Sequence, residues 1–361
     1  MMERNKPGDA VEKGYRSEQR PLRIINSTAP IRVCDNGGWT DTWFAEYGQI
    51  FNIAVNPVAE VQLEVFPHSA QDERIIIHAE NYGERYAPQF KNDAWGQHPL
   101  LEAAIMRMGV PDGVAIQVHL HSNAPVGAST GTSAAVSVAL LGALDCLTPG
   151  RLAVHEIAYL AQSIETDMLE QQCGIQDQLC AAFGGINFID MFQYPHASIS
   201  PIPLPKTIWW ELERRLLLIY LGTSHASSQV HEHVIRDLEV VGPTAWQLKA
   251  LRETAVPSRD ALVAGDFIAL GAAMRQNTEA QRQLHPALIS TDAERVIEIA
   301  KAHGALGWKV NGAGGEGGSL TLLCGDFSHD KRALIREIEA ENRLYKHIPT
   351  TLSRQGLRVW E

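Results

Sequence analysis

The densest chemical signal in the chain is Pro125-Val126-Gly127-Ala128-Ser129-Thr130-Gly131-Thr132-Ser133-Ala134, which runs directly into the apolar stretch Ala135 to Leu144. Small residues and two glycines let a backbone approach an anion closely. The free N–H groups at the start of the helix that follows, with its positive dipole end, then point at that anion. Thr132 and Ser133 add hydroxyls where a phosphate, or a magnesium ion bound to it, would sit. No Gly-Lys-Ser/Thr follows the glycines, so a Walker loop is excluded. Taken alone, the stretch also reads as a turn of small residues packed against a core helix.

Three further segments carry residues of related chemistry. Ala29-Pro30-Ile31-Arg32 continues to Gly37-Gly38-Trp39-Thr40-Asp41. Glu165 is followed by Asp177 within Cys173-Gly174-Ile175-Gln176-Asp177-Gln178. Lys309-Val310-Asn311-Gly312-Ala313-Gly314-Gly315-Glu316-Gly317-Gly318 forms a second glycine loop. Carboxylates that can take a proton or hold a hard cation, one arginine, and two glycine loops are a set suited to phosphoryl transfer. Each member also has a plain structural reading. Asp177 can cap a helix, Glu165 can be a solvated helix residue, and Arg32 can be a structural ion-pair partner. Gly312 to Gly317 matches G-x-G-x-x-G, but a strand rather than a helix follows, so a dinucleotide fingerprint fails on context. His231-Glu232-His233 reads as solvated helix residues. His119 and His121 share one strand face, where they are geometrically possible metal ligands but read better as polar edge residues.

The elements that must position these residues follow from periodicity. Arg23 to Arg32 opens the ordered part, and Val61 to Val65, Arg74 to His78 and Val114 to Leu120 read as strands. Pro99 to Met108 reads as a helix with proline in its first turn. Leu152, Ile157, Leu160, Ala161 and Ile164 recur at helical spacing up to Glu165, and Ile186 to Ile189 reads as a strand. Pro201, Pro203 and Pro205 mark a connector, after which come the strand Leu216 to Leu221, several helices, the strand Ser319 to Leu323 and a charged helix over Asp330 to Tyr345. The mixture lacks strict βαβ alternation, which predicts an α+β fold. The expected organisation is a disordered tail over 1–20, one domain over 21–205 and a second over 206–361.

Composition narrows the class. With 361 residues the chain can bury two modest cores, and a net charge of −11 argues against nucleic acid or an anionic membrane as principal partner. Five cysteines without metal-site spacing predict reduced thiols and a cytoplasmic protein. No apolar run approaches the roughly 20 residues needed to span a bilayer. A homodimer stays open.

Together the four segments resemble the GHMP small-molecule kinases, the group of galactokinase, homoserine, mevalonate and phosphomevalonate kinases. The texture is similar to the heptose 7-phosphate, fucose and arabinose kinase branch, supported by Gly37 to Asp41, by Ala182-Phe183-Gly184-Gly185-Ile186-Asn187-Phe188, and by Gly356 to Trp360. The resemblance implies an N-terminal domain like the second domain of ribosomal protein S5, a ferredoxin-like C-terminal domain, and ATP with Mg2+ in the cleft between them. It implies Asp177 as catalytic base, with Arg32 beside it keeping it ionised and offsetting charge on the transferring phosphate. It further implies Ser133 and Glu165 as magnesium ligands, and Pro125, Gly127, Ser129, Thr130, Gly131, Thr132, Ser133 and Ala134 as the ATP cradle. Asp41, Gly38, Trp39, Gly174, Gly312 and Gly314 fall at the substrate.

The chain also departs from the family pattern. Ser129 and Thr130 stand in place of the loop's second glycine and leucine, and Glu316 puts a carboxylate where related heptose kinases carry glycine. Gly38-Trp39 replaces the Glu-His of galactokinases, which argues against galactose and for room beside C6, fit for a larger or anionic group. The implied reaction is transfer of the ATP γ-phosphate to a sugar or sugar-phosphate hydroxyl, at the anomeric position, as in a heptose 7-phosphate or a uronic acid. The alternatives are a kinase of a mevalonate-type alcohol, against which Thr40-Asp41 speaks, and a non-catalytic sugar and ATP sensor, against which Arg32, Ser133, Glu165 and Asp177 speak.

Overall fold

Among the described residues nine strands form the larger sheet, and they are drawn from both ends of the chain. The computed structural model describes residues 20–69, 73–90, 95–148, 151–222 and 227–361, without the side chains of 227–230. The expected N-terminal tail lies outside them but for Arg20. The strands of the first part are β1 (Arg23–Asn36), β2 (Gly48–Pro67), β3 (Ile75–Ala79), β4 (Glu84–Tyr86), β5 (Val114–Ser122), β6 (Ile186–Gln193) and β7 (His196–Pro201). Between them lie the helices α1 (Pro99–Met108), α2 (Thr132–Asp145), α3 (Val154–Ser163) and α4 (Gln176–Phe183). β2 is the spine: it pairs antiparallel with β1, β5 and β6, and β3 adds parallel to β5.

α2 is apolar on every side, the mark of a helix buried all round, and residues Ala134 to Asp145 are buried apart from Val136. Its small residues admit close neighbours. At Gly142 a Cβ would stand 2.7 Å from the Leu357 side chain.

The second part holds α5 (Lys206–Arg215), β8 (Leu216–Gly222), α6 (Ser227–Val241), α7 (Trp246–Ala264), α8 (Phe267–Leu284), α9 (Thr291–Ala302), β9 (Gly307–Val310), β10 (Gly318–Leu323), α10 (Ser328–Glu341) and β11 (Lys346–Ile348). Its sheet runs β11-β8-β10-β9, all antiparallel. Leu217, Ile219, Leu320 and Leu322 bury one face of it against α9 and α10. The architecture is α+β, as the mixed pattern predicts. Two details differ from expectation. The charged helix stops at Glu341 because Asn342 takes extended backbone, which leaves Tyr345 free to hydrogen-bond Asp292. The strands β12 (Thr351–Leu352) and β13 (Arg358–Trp360) leave the second unit and pair with β2 and β1.

Buried polar contacts join the two parts along the far end of β1. Cys34 N–H donates to Asn311 (3.1 Å), Gly37 N–H to Asn277 (2.7 Å), and Asn36 to Ser258 (2.7 Å). The pairing of β1 with β2 is irregular between Val33 and Asn36, which turns these groups toward the second unit.

Candidate active site

Arg32 sits on β1, almost wholly buried, and donates from Nε to Asp177 Oδ1 (2.8 Å) and from Nη2 to Asp177 Oδ2 (3.1 Å). Its third nitrogen, Nη1, donates to the carbonyl of Ser129 (2.5 Å), and its backbone N–H donates to Thr130 (2.9 Å). One side chain thus ties together a strand, the first glycine loop and α4. Burial by itself would lower the guanidinium pKa, but Asp177 and Asp35 outweigh it and hold it above the usual arginine range.

Ser129 adopts the left-handed backbone (φ +55°) at the position where glycine was expected, so the loop keeps its glycine-type geometry at some cost in strain. Gly131 (φ +69°) leads into α2, and a Cβ there would stand 3.1 Å from the Asp177 carboxyl.

α4 presents Asp177, and Asp41 holds the start of α4. Asp41 Oδ2 accepts from the N–H groups of Ile175 and Gln176, both at 3.0 Å, while Oδ1 has only a 3.5 Å contact to the Gln176 side chain. Gly174 allows this approach, since any Cβ there would collide with the Asp41 carboxyl. Burial raises Asp41 to about 6 despite the two backbone donors.

Glu165 lies in a π-helical turn, Ile164–Met168, that continues α3. Such turns re-aim a side chain and recur at functional sites. Its Oε1 accepts from Gln178 (2.8 Å), and burial pushes its pKa to about 7.

Two cavities meet at the Arg32–Asp177 pair. The first, of 580 Å³, is lined by Gly127 through Ser133, by Leu120, Val136 and Tyr82, and by Arg32, Asp177 and Gly312. The second, of 420 Å³, is lined by Trp39, Asp41, Glu165, Gly174, His231 and the same Arg32, Ser133, Asp177 and Gly312. A single carboxylate and a single guanidinium at the junction can serve molecules bound on both sides, which is the geometry of group transfer between two ligands.

Comparison with known proteins agrees with that geometry. Residues 99–185 match the model described as GHMP kinases N terminal domain, and residues 258–340 match GHMP kinases C terminal. The chain belongs to the GHMP kinases. A D-glycero-alpha-D-manno-heptose 7-phosphate kinase of Campylobacter jejuni is 26% identical over 349 residues, covering 94% of this chain and 99% of that protein. A bifunctional fucokinase/GDP-fucose pyrophosphorylase of Arabidopsis thaliana is 27% identical over 310 residues, covering 81% of this chain but 29% of that longer protein. The crystal structure of a D-glycero-D-manno-heptose 1-phosphate kinase from Bacteroides thetaiotaomicron superposes with a TM-score of 0.71 at 22% identity, over 93% of this chain and 99% of that one, and speaks to the fold.

Within this GHMP kinase the other anticipated residues divide. Ala134 lines the second cavity rather than the first. Pro125 is in neither lining; its carbonyl closes the loop by accepting from Ala128 (3.2 Å). Gly38 packs against Asp35 and Gln176, and Gly314 against the Leu288 carbonyl, both outside the linings. Glu316 is exposed and lines neither cavity.

Other residues emerge only from the packing. Lys309 is 1% exposed, stands 3.3 Å from Asp35 Oδ1, and has its pKa lowered by burial. Asp35 also accepts from the Gly312 N–H, fastening the second glycine loop to β1. His231 is half-buried rather than solvated: it lines the second cavity, meets Trp39 edge to face, and donates from Nε2 to the Gly314 carbonyl (2.9 Å). No local sequence pattern singled out the Asp35–Lys309 contact, whose partners lie far apart in the chain.

Proposed function

We propose that this kinase transfers the γ-phosphate of ATP to the anomeric hydroxyl of a sugar or sugar phosphate. The observation that carries the reading is the Arg32–Asp177 pair at the junction of the two cavities. ATP would occupy the first cavity, its phosphates against the N–H groups that open α2 and its base among Tyr82, Leu120 and Val136. The acceptor would occupy the second. Its hydroxyl oxygen attacks the γ-phosphorus, the bond to the ADP oxygen breaks, and the hydroxyl proton passes to Asp177. Arg32 holds Asp177 by both oxygens and lends fixed positive charge beside the transferring group.

Mg2+ would be held by Ser133 and Glu165. The fit rests on Glu165 itself, a carboxylate buried enough to reach about 7, which a hard cation would return to its charged form. The ion, when bound, neutralises phosphate charge.

Support for a hydroxyl-rich acceptor comes from three buried atoms without hydrogen-bond partners, Trp39 Nε1, Gln176 Oε1 and Gln178 Oε1, all on residues lining the second cavity. Among its described lining residues one cation, Arg32, faces five carboxylates, Asp35, Asp41, Glu165, Asp177 and Glu232. Asp177 and Asp35 are paired with Arg32 and Lys309 and Glu165 would hold the ion, so these charges do not select against a sugar phosphate, which the similarity to a heptose 7-phosphate kinase supports. A coupled ADP-release assay over aldoses, uronic acids and heptose phosphates tests the reading; activity confined to mevalonate-type alcohols overturns it.

A further inference from the structure

Away from the cleft, the outer face of the large sheet carries a pair of histidines. Strand alternation on β5 turns Val118 and Leu120 into the core and His119 outward. β3 runs parallel beside it with His78 in register opposite His119. Their Nδ1 atoms are 3.2 Å apart. Glu80, one residue beyond β3, completes a group in which one ligand atom from each of the three residues lies within 4.8 Å of the others.

We propose that His78, His119 and Glu80 form a binding site for a zinc-type transition-metal ion. Two nitrogens at about 2.0–2.1 Å from a tetrahedral ion stand roughly 3.3 Å apart, which is the separation of this pair. Two imidazoles set Nδ1 to Nδ1 can share only one proton between them, whereas both lone pairs can serve one metal. Two imidazoles with one carboxylate suit zinc, copper or nickel, and suit magnesium or calcium poorly.

The surroundings complete the case. His119 Nε2 is buried and lacks a hydrogen-bond partner, with Glu64 Oε2 at 3.5 Å. Ligation through Nδ1 leaves Nε2–H facing that carboxylate, the usual orientation of a metal-bound histidine. Glu80 is exposed, so an ion can enter from solvent and retain a water as fourth ligand. Glu80 also opens the turn Glu80–Tyr82, and Asn81 and Tyr82 line the first cavity. An ion bridging Glu80 to His119 would therefore fix one wall of the proposed nucleotide site.

The test is a Zn2+ titration of the metal-free full-length protein, with Mg2+ in excess to occupy oxygen ligands in the cleft. One Zn2+ per chain is expected, and Co2+ in its place should give the intense visible bands of tetrahedral coordination. His78→Gln and His119→Gln should each weaken Zn2+ binding by about 10–100-fold and remove those bands. His233→Gln, on the exposed side of α6, should leave both unchanged. Neither His78 nor His119 lines a cleft cavity, so magnesium-dependent turnover by the variants reports that they are folded. Wild-type protein without the cobalt bands, or Zn2+ affinity unaltered in both glutamine variants, overturns the assignment.

Discussion

Arg32 and Asp177 are 145 residues apart in the chain, yet both nitrogens on one edge of the guanidinium meet both oxygens of the carboxylate, at 2.8 and 3.1 Å. The pair is oriented as well as close. A planar fork fixes where the free faces of the carboxylate point, and the arginine's remaining nitrogen is committed to the Ser129 carbonyl. The carboxylate proposed to take the proton is thereby held relative to the loop proposed to take the phosphates.

Asp177→Asn should keep the fold and nucleotide binding while lowering turnover by about 10²–10⁴, the span for loss of a general base. ADP release and a nucleotide titration on the same preparation check both halves. Turnover near wild type would remove Asp177 from the base role.

Arg32→Lys keeps the charge but replaces the fork by a single point. It cannot reach both Asp177 oxygens and the Ser129 carbonyl together, so turnover should fall by about 10²–10³. The fall should appear in kcat more than in the KM for ATP, which steady-state kinetics with each substrate varied would show.

Glu165 gives a pH signature. Its pKa is about 7 in the metal-free fold against 4.5 ordinarily, so the unfolded chain releases its proton first as pH rises. Stability without Mg2+ should therefore fall between about pH 4.5 and pH 7, by an amount on the order of 3 kcal/mol for this group. Glu165→Gln should flatten that slope, and Mg2+ should offset it in wild type alone. Thermal melts across pH, with and without Mg2+, read the effect. In turnover, Glu165→Gln and Ser133→Ala should each raise the Mg2+ concentration needed for half-maximal rate.

Trp39→Phe keeps an aromatic ring in the second cavity and removes the unpartnered Nε1 donor together with part of the indole surface. The KM for the sugar should rise about 5–10-fold, the worth of one hydrogen bond, with the KM for ATP unchanged. Phosphorus NMR of the product should show coupling to H1. Coupling to another ring proton would rule out the anomeric position.

The local elements were legible because their signals are local. Pro99 to Met108 is the helix its proline and spacing predicted, and the loop from Gly127 to Ser133 does lead into a largely buried α2. Periods of 2 and 3.6 and the φ demands of glycine act within a few residues, so a single stretch of sequence contains them. The candidate site residues Arg32, Asp41, Ser133, Glu165 and Asp177 were named on a different ground, the resemblance of four segments to a known family.

What the tertiary structure alone decided is which of these residues meet, and in what geometry. The π turn at Glu165, the capping of α4 by Asp41, the Lys309–Asp35 contact and the return of β13 to β1 each depend on partners distant in the chain. His119 illustrates the limit: by strand alternation its companion should have been His121, but sheet register set His78 against it instead. Burial and pairing across a sheet or a cleft are properties of the packed whole, and no local period encodes them.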